Sequence, residues 1–506
     1  MSDQSRREFM KLLSAIAASG LAGTVTETWA HDEKAAGAPG YKVLPWKGDD
    51  FTFGHRLRDG DLPKFPDKAD SKADFVIVGG GMAGLSTAHF LKGQDILLLE
   101  QYEHTGGTAQ GGSYRGIDYS MGAVCTGSHD GIYAQLFDDL KIKPAVIPPD
   151  QIAWHCDKRW YKGIHGEDAF YKELNRLTKE MQGLVAKLND GSAEEKAALK
   201  QKLETTTFDK YLETYNKDFV KLIANIANSF YCAGPDFISA MSGIDMINIL
   251  STNSYVFEGG NSGIAKALRR SVNNDSPGRC KPSSFVWRVE PRDKGASVVY
   301  SDKEGAIHRV DCRHAVVTTP PMVALRIVPQ MPQAMRDRMQ QLEYSAFLVA
   351  NFCMKKKVFN NPYQSFADQP FPFGQMILAE TPYQVLGKYH PDMGSVLTVY
   401  HPFEHGTAGR VQMLGEDREK LAESMVSQLN QLIENFQGSL EQVVLTRWGH
   451  AFNVPKLGAA DLMYNIQELD PEWMTFANCS AKGGSFEGAV QAAHAAAKRC
   501  LSLKKA

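Results

Sequence analysis

Three glycines carry the strongest chemical signal in this chain. Gly79, Gly81 and Gly84 form a G-x-G-x-x-G pattern. It follows the apolar, β-rich run Phe75-Val76-Ile77-Val78 and precedes Leu85-Ser86-Thr87-Ala88-His89-Phe90-Leu91, which has the character of a helix. The first glycine permits a tight turn, the second lets a pyrophosphate approach the backbone, and the third lets helix pack close to strand. A helix starting at Met82 and Ala83 presents unpaired N–H groups and a positive dipole end to phosphates. A second buried strand, Asp95-Ile96-Leu97-Leu98-Leu99, ends at Glu100, 21 positions beyond Gly79. A carboxylate there suits the hydroxyls of an adenosine ribose. Strand, glycine turn, helix, strand and acid together specify a dinucleotide site.

Small residues also recur near both ends of the chain. Gly106-Gly107-Thr108, Gly111-Gly112 and Met121-Gly122-Ala123 follow the acid. Far downstream come Phe476-Ala477-Asn478 and then Gly483-Gly484-Ser485-Phe486-Glu487-Gly488-Ala489-Val490. This pairing of ends resembles the flavin-containing amine oxidase superfamily over roughly residues 72–500. The resemblance implies an α/β fold, with a Rossmann-like FAD-binding domain and an interleaved α+β substrate domain bearing an antiparallel sheet and a helical cap. It implies non-covalent FAD, held by Gly79, Gly81, Met82, Ala83, Gly84, Glu100, Gly106, Gly107, Thr108, Gly122 and Ala123. It also implies that Val286 touches adenine through its backbone. The helix start at Glu487, Gly488 and Ala489 is then expected to meet the flavin end.

The chain departs from the family at four places. Thr108 stands where many members have an arginine after the glycine pair, so one phosphate-side cation is missing. Asn478 and Cys479 replace a glycine and an acid near the ribityl chain. The strand Ser345-Ala346-Phe347-Leu348-Val349-Ala350 lacks the lysine many oxidases hold near the flavin. Ser485 lies close to a position where monoamine oxidases use an aromatic residue. FAD binding survives these changes, but an amine substrate is less firmly implied.

Arg447-Trp448-Gly449-His450-Ala451-Phe452-Asn453-Val454-Pro455 is the best remaining active-site candidate. His450 is a candidate acid/base or substrate-orienting group, and Lys482 is a candidate replacement for the missing lysine. Trp448 and Phe452 are candidate pocket walls. Trp154, Trp160, Tyr161, Phe230, Tyr231, Phe373 and Tyr400 add aromatic surface, with core packing as the competing role. A dry aromatic pocket would favour the neutral amine that oxidation requires.

Around these residues the 506-residue chain divides into recognisable parts. Ser5-Arg6-Arg7-Glu8-Phe9-Met10-Lys11, followed by Leu12-Leu13-Ser14-Ala15-Ile16-Ala17-Ala18, resembles a twin-arginine (Tat) export signal, here assigned to residues 1–31. It implies passage through the Tat translocase and residence in the periplasm. Residues 32–71 are expected to form an extended arm. Residues 72–130, 250–322 and 440–506 are assigned to the FAD-binding domain; 131–249 and 323–439 to the substrate domain. In the helical cap, Ser192 and Glu195 form a candidate capping box.

Basic and acidic residues number 56 and 58, a balance that argues against a nucleic-acid partner. Eight scattered cysteines show no metal spacing, and the His401–His405 pair includes Pro402 and lacks further ligands, so no metal is expected. The leading expectation is an exported FAD-dependent oxidoreductase taking hydride from a small amine or amino-acid-like substrate. Its electrons would pass to oxygen or to a periplasmic or quinone carrier. The alternatives are a desaturase- or isomerase-like flavoenzyme acting on an apolar C–C bond, and a non-catalytic electron-carrier or assembly flavoprotein.

Overall fold

The computed structural model describes residues 40–451, 453–482 and 484–505. The twin-arginine segment and Phe452 lie outside the described residues. Two sheets organise the chain. The first contains a parallel set. Its strand Ser71–Val78 is flanked by Ile96–Leu99 and Ile307–Val317, and the latter also pairs with Met474–Phe476. Cys280–Lys281 extends one edge in parallel, and Ala296–Ser301 and Phe285–Pro291 extend the other antiparallel. Runs such as Phe75–Val78 and Ile96–Leu99 are apolar at every position because helices cover both faces of the sheet.

On one face Phe75, Ile77 and Leu98 pack with Leu85, Ile264, Leu268 and Val490 from three helices. On the other, Val76, Val78 and Leu97 pack with Ala324, Ile327, Met335 and Met339. All the parallel strands run to the same edge, where Leu99, Val78, Val317 and Phe476 end. In such sheets ligands bind outside the carboxyl ends of the strands.

The second sheet runs Lys42–Val43, Leu440–Trp448, Phe347–Met354, Ser395–Pro402, Gln375–Leu378, Gln364–Ala367, Ile152–Cys156 and Arg159–Lys162. The strand Leu440–Trp448 was expected with the cofactor-binding piece. It pairs along its length with Phe347–Met354 of the second sheet. Antiparallel pairing there buries both faces, which a local reading of the segment could not show.

The helical cap consists mainly of Ala169–Asp190, Ala193–Thr205, Lys217–Tyr231 and Ala240–Leu250. Ser192 and Glu195 close the expected capping box, with Glu195 N–H donating to Ser192 Oγ (3.3 Å) and Ser192 N–H to Glu195 Oε2 (2.8 Å). The arm does more than extend. Lys42–Val43 and Lys47–Gly48 each add a parallel pair to Leu440–Trp448, and Thr52–Asp59 is a helix ended by Gly60 at φ 76°. The eight cysteines are free thiols, and no described helix is long and apolar enough to cross a membrane.

Candidate active site

The glycine turn shows why each of its small residues is needed. Gly79 has φ +104°, in the left-handed region. A Cβ on Gly84 would lie 1.9 Å from the Gly79 carbonyl oxygen, so any side chain there would push helix Met82–Phe90 off its strand. Gly81 differs. Its φ is −71° and a Cβ would find nothing closer than 3.8 Å, the Gly107 Cα. Gly81 and Gly107 lie against each other, a Cβ on Gly107 falling 3.2 Å from Gly81 Cα, and their loops are joined by a bridge between Gly81 and Gly106 and by Gly106 N–H donating to Gly80 O (2.8 Å). Gly81 is therefore not required by the packing of the chain on itself.

Glu100 stands beside these loops, buried and, among the described residues, without a cationic partner. Its carboxylate accepts from Gly80 N–H (2.6 Å) and Tyr102 N–H (2.9 Å). Burial pushes it up to about 7 against those stabilising bonds. Each oxygen keeps a further lone pair, and two ribose hydroxyls would favour the anion. Ser284 N–H donates to Glu100 O (2.7 Å) and Ser283 N–H to Tyr102 O (2.8 Å). These bonds bring the strand that carries Val286 beside the acid. Thr318 Oγ1 donates to Val78 O (2.9 Å) and Gly79 O (3.0 Å), whereas the Thr319 hydroxyl next to it is buried with no partner. A glycine turn, a helix start, a buried carboxylate with spare acceptors and an orphan hydroxyl share one strand edge. Together they fit the adenosine diphosphate half of a dinucleotide.

The second glycine group frames the other wall. A Cβ on Gly122 would lie 1.9 Å from Thr108 O and 3.5 Å from Trp448 Nε1. Ala123 N–H donates to Thr108 O (3.1 Å), and Thr108 and Ala123 are exposed. Trp448 is buried, donating from Nε1 to Met121 O (2.8 Å), and Tyr400 donates its hydroxyl to Gly122 O (2.7 Å). Both pack with Phe347, Val349, Tyr363 and Ile377. Trp154, Tyr161, Phe230 and Tyr231 pack instead within the helical cap, and Phe373 on the far face of the second sheet.

At the C-terminal end the same residues also serve the chain's own packing. Glu487 Oε1 accepts from Gly127 N–H (2.8 Å), Ser128 N–H (3.3 Å) and the Thr126 hydroxyl. It clamps the last helix, Phe486–Lys505, to the 126–128 loop. Gly488 is small because a Cβ would lie 2.6 Å from Lys482 O and 3.0 Å from Cys479 O, so the chain's own turn already demands glycine. Ala489 is buried in the same packing. Asn478 ties that turn to the sheet edge, donating from Nδ2 to Thr318 O (3.0 Å) and accepting from Ser480 N–H (3.0 Å). Lys482 points into solvent.

His450 is exposed, and Cys125 and Cys479 are half-buried. Crowding, and then the positive fields of Arg410, Arg326 and His55, pull its imidazole down to about 4. It is neutral at physiological pH. Its ring meets Tyr344 edge-on at 5.7 Å, and Tyr344 feels Cys479 and Arg326. Sequence reading missed what the arm does here. Asp49 Oδ2 accepts from Gly449 N–H (2.6 Å), and burial pushes Asp49 up to about 6. The Phe51 ring stacks on His55 at 5.4 Å.

The fold has counterparts among solved structures. Putrescine oxidase bound to putrescine is 16% identical with a TM-score of 0.64, covering 85% of this chain and 99% of that one. Cyclohexylamine oxidase from Brevibacterium oxydans IH-35A is 15% identical with a TM-score of 0.66, covering 86% and 100%. A CLA-producing fatty acid isomerase from P. acnes is 16% identical with a TM-score of 0.59, covering 84% and 98%. At these identities the likeness is one of fold. No curated protein matches the sequence. The pattern of the flavin containing amine oxidoreductase family matches residues 82–501, from the start of the helix after the glycine turn to the last helix, and the chain belongs to that family of flavin-dependent oxidoreductases.

Proposed function

We propose that this protein is an exported oxidoreductase that holds FAD non-covalently and oxidises a small amine or amino-acid-like substrate. The observation that carries the reading is the pair of glycine loops at Gly81 and Gly107 beside buried Glu100, joined directly to a family match that begins at Met82. A bound flavin accepts a hydride from a C–H held over its ring. The chain's own part is binding, orientation and dryness. Gly81, the first turn of helix Met82–Phe90 and Glu100 would hold the adenosine diphosphate half. Trp448, Tyr400, Phe347 and Tyr363 supply buried aromatic surface behind Gly122, and an apolar setting disfavours the ammonium and so prepares a neutral amine. No lysine stands on strand Phe347–Met354.

His450 is poorly suited to proton transfer. A base near 4 is a weak acceptor at neutral pH, and it carries no proton to donate as an acid. The twin-arginine segment supports export to the periplasm, with oxygen or a periplasmic or quinone carrier as electron acceptor. A second reading, isomerisation or desaturation of an apolar C–C bond, is favoured by the similarity to the fatty acid isomerase fold and by the missing lysine. An anaerobic screen of the holoprotein separates them. Bleaching of the flavin by amines or amino acids supports the first reading. Conversion of an unsaturated fatty acid with no net flavin reduction supports the second.

A further inference from the structure

We propose that Tyr363 sets substrate specificity: its hydroxyl anchors one uncharged hydrogen-bonding group of an otherwise apolar amine, in a cavity that turns away a second charge. The proposal rests on the amine-oxidising reading above and narrows it. Tyr363 is held in the second sheet, where Leu378 N–H donates to its carbonyl (3.0 Å). Its side chain is buried with Phe347, Val349, Ile377, Tyr400 and Trp448. The hydroxyl is buried too, and finds no hydrogen-bond partner among the described residues. A buried hydroxyl without a partner is costly, and an occupant that completes it removes that cost.

The room for an occupant is beside it. Tyr363 lines a small cavity with Ser120, Val124, Val256, Ile377 and Thr398, with space for about one water-sized group. Three neighbouring hydroxyls are already committed. Thr398 Oγ1 donates to Asn351 Oδ1 (2.7 Å) and the Tyr400 hydroxyl to Gly122 O (2.7 Å). Ser120 Oγ donates to Ala123 O (2.9 Å) and accepts from Gly122 N–H (3.1 Å). Among the described residues that line the cavity the only charged one is Asp118. Lys266 Nζ holds its carboxylate at 2.5 Å, where both side chains reach solvent. An ammonium or carboxylate entering the cavity would shed its water and gain no counter-charge. A hydroxyl, ether or carbonyl would pair with Tyr363.

Distances tie the cavity to the cofactor loops. A Cβ on Gly107 would fall 3.2 Å from Gly81 Cα, and a Cβ on Gly122 would lie 1.9 Å from the carbonyl oxygen of Thr108, the residue after Gly107. Gly122 bonds in turn to Ser120 and Tyr400, and Ser120 lines the cavity. The segment from Ser120 to Val124 thus separates the glycine loops from the cavity. The cavity lies on the second-sheet side of that segment, beside the aromatic surface assigned to the substrate. Its size suits a single substituent of the substrate and not the reacting carbon.

The test compares wild type with Tyr363→Phe, both full-length and FAD-loaded. The probes are alkylamines matched in length whose far end is a methyl, a hydroxyl, an ammonium or a carboxylate, run over a range of chain lengths. The rate of anaerobic flavin reduction at limiting amine is read. At the best length wild type should prefer hydroxyl over methyl by about tenfold, and Tyr363→Phe should lose that preference while keeping its rate on the methyl-ended amine. Ammonium- and carboxylate-ended amines should be slower by about a hundredfold or more in both proteins. The Tm of Tyr363→Phe should equal or exceed that of wild type, because an unpaired buried hydroxyl is removed. A hydroxyl preference that survives in Tyr363→Phe, or is absent from wild type, would overturn the proposal and leave the cavity to a resident water. So would equal rates with the charged ends, or a lowered Tm, which would mean that the hydroxyl serves the fold. If no amine in the series bleaches the flavin, the amine reading falls and the proposal with it.

Discussion

Replacing Gly81 with alanine separates the fold from the cofactor. In the protein alone the substitution is mild. The backbone at Gly81 is φ −71°, ψ −173°, a conformation open to any residue, and the new methyl would sit 3.8 Å from its nearest neighbour, an ordinary contact. Gly81 is the N-cap of its helix, and alanine is a poorer cap than glycine, a cost of about 1 kcal/mol or less. The flavin-free protein should thus keep a near-native Tm. For a bound dinucleotide the same methyl stands at the helix start, where the pyrophosphate must reach backbone N–H groups. Losing two charge-assisted hydrogen bonds at about 1.5–3 kcal/mol each removes about 3–6 kcal/mol, roughly 10²–10⁴-fold in affinity. Quenching of FAD fluorescence on titration into stripped protein reads the affinity, and calorimetry reads the fold. Gly84→Ala is the contrasting control, since its Cβ would lie 1.9 Å from Gly79 O and should destabilise the protein with or without flavin. Wild-type FAD affinity in Gly81→Ala would refute the placement of the pyrophosphate.

Other perturbations have equally definite outcomes. His450→Ala should keep the rate of flavin reduction by substrate within a few-fold of wild type, because a neutral imidazole near 4 is out of range for acid/base work at pH 7; a loss on the order of 10²-fold in stopped-flow, with flavin still bound, would restore it as a proton-transfer group. His314 is buried, with Nδ1 against Glu472 O (3.0 Å) and Nε2 against Thr475 Oγ1 (2.9 Å), and burial lowers it to about 4. A depressed histidine binds fewer protons folded than unfolded, so its contribution of about 3 kcal/mol is present above pH 6.5 and is lost as pH falls toward 4. Denaturant unfolding at pH 6.5 and 4.5 should show that loss, and His314→Gln should flatten it. Arg6→Lys with Arg7→Lys should leave flavin-loaded precursor in the cytoplasm; an unchanged periplasmic yield on fractionation would remove the export assignment.

The cofactor half was legible in the sequence because its constraints are local. Gly79, Gly84 and Glu100 act through their own turn, helix and strand, so residue type and spacing carry the information. At Gly488 smallness is visible in the sequence, but the closeness of the Lys482 carbonyl that requires it is not. The strand Leu440–Trp448 could not be allotted to a sheet, since its partner Phe347–Met354 lies about ninety residues away. The arm's grip on Gly449 through Asp49 joins two segments four hundred residues apart with no common motif.

The most direct measurement is anaerobic titration of the purified, yellow holoprotein with amines and amino acids, followed by denaturation and chromatography of the released cofactor. The account predicts that at least one such substrate bleaches the long-wavelength flavin band, that an added acceptor restores it, and that the cofactor leaves the denatured protein as intact FAD. Flavin that stays with the precipitated protein, FMN in place of FAD, or a band that no amine or amino acid reduces would contradict it.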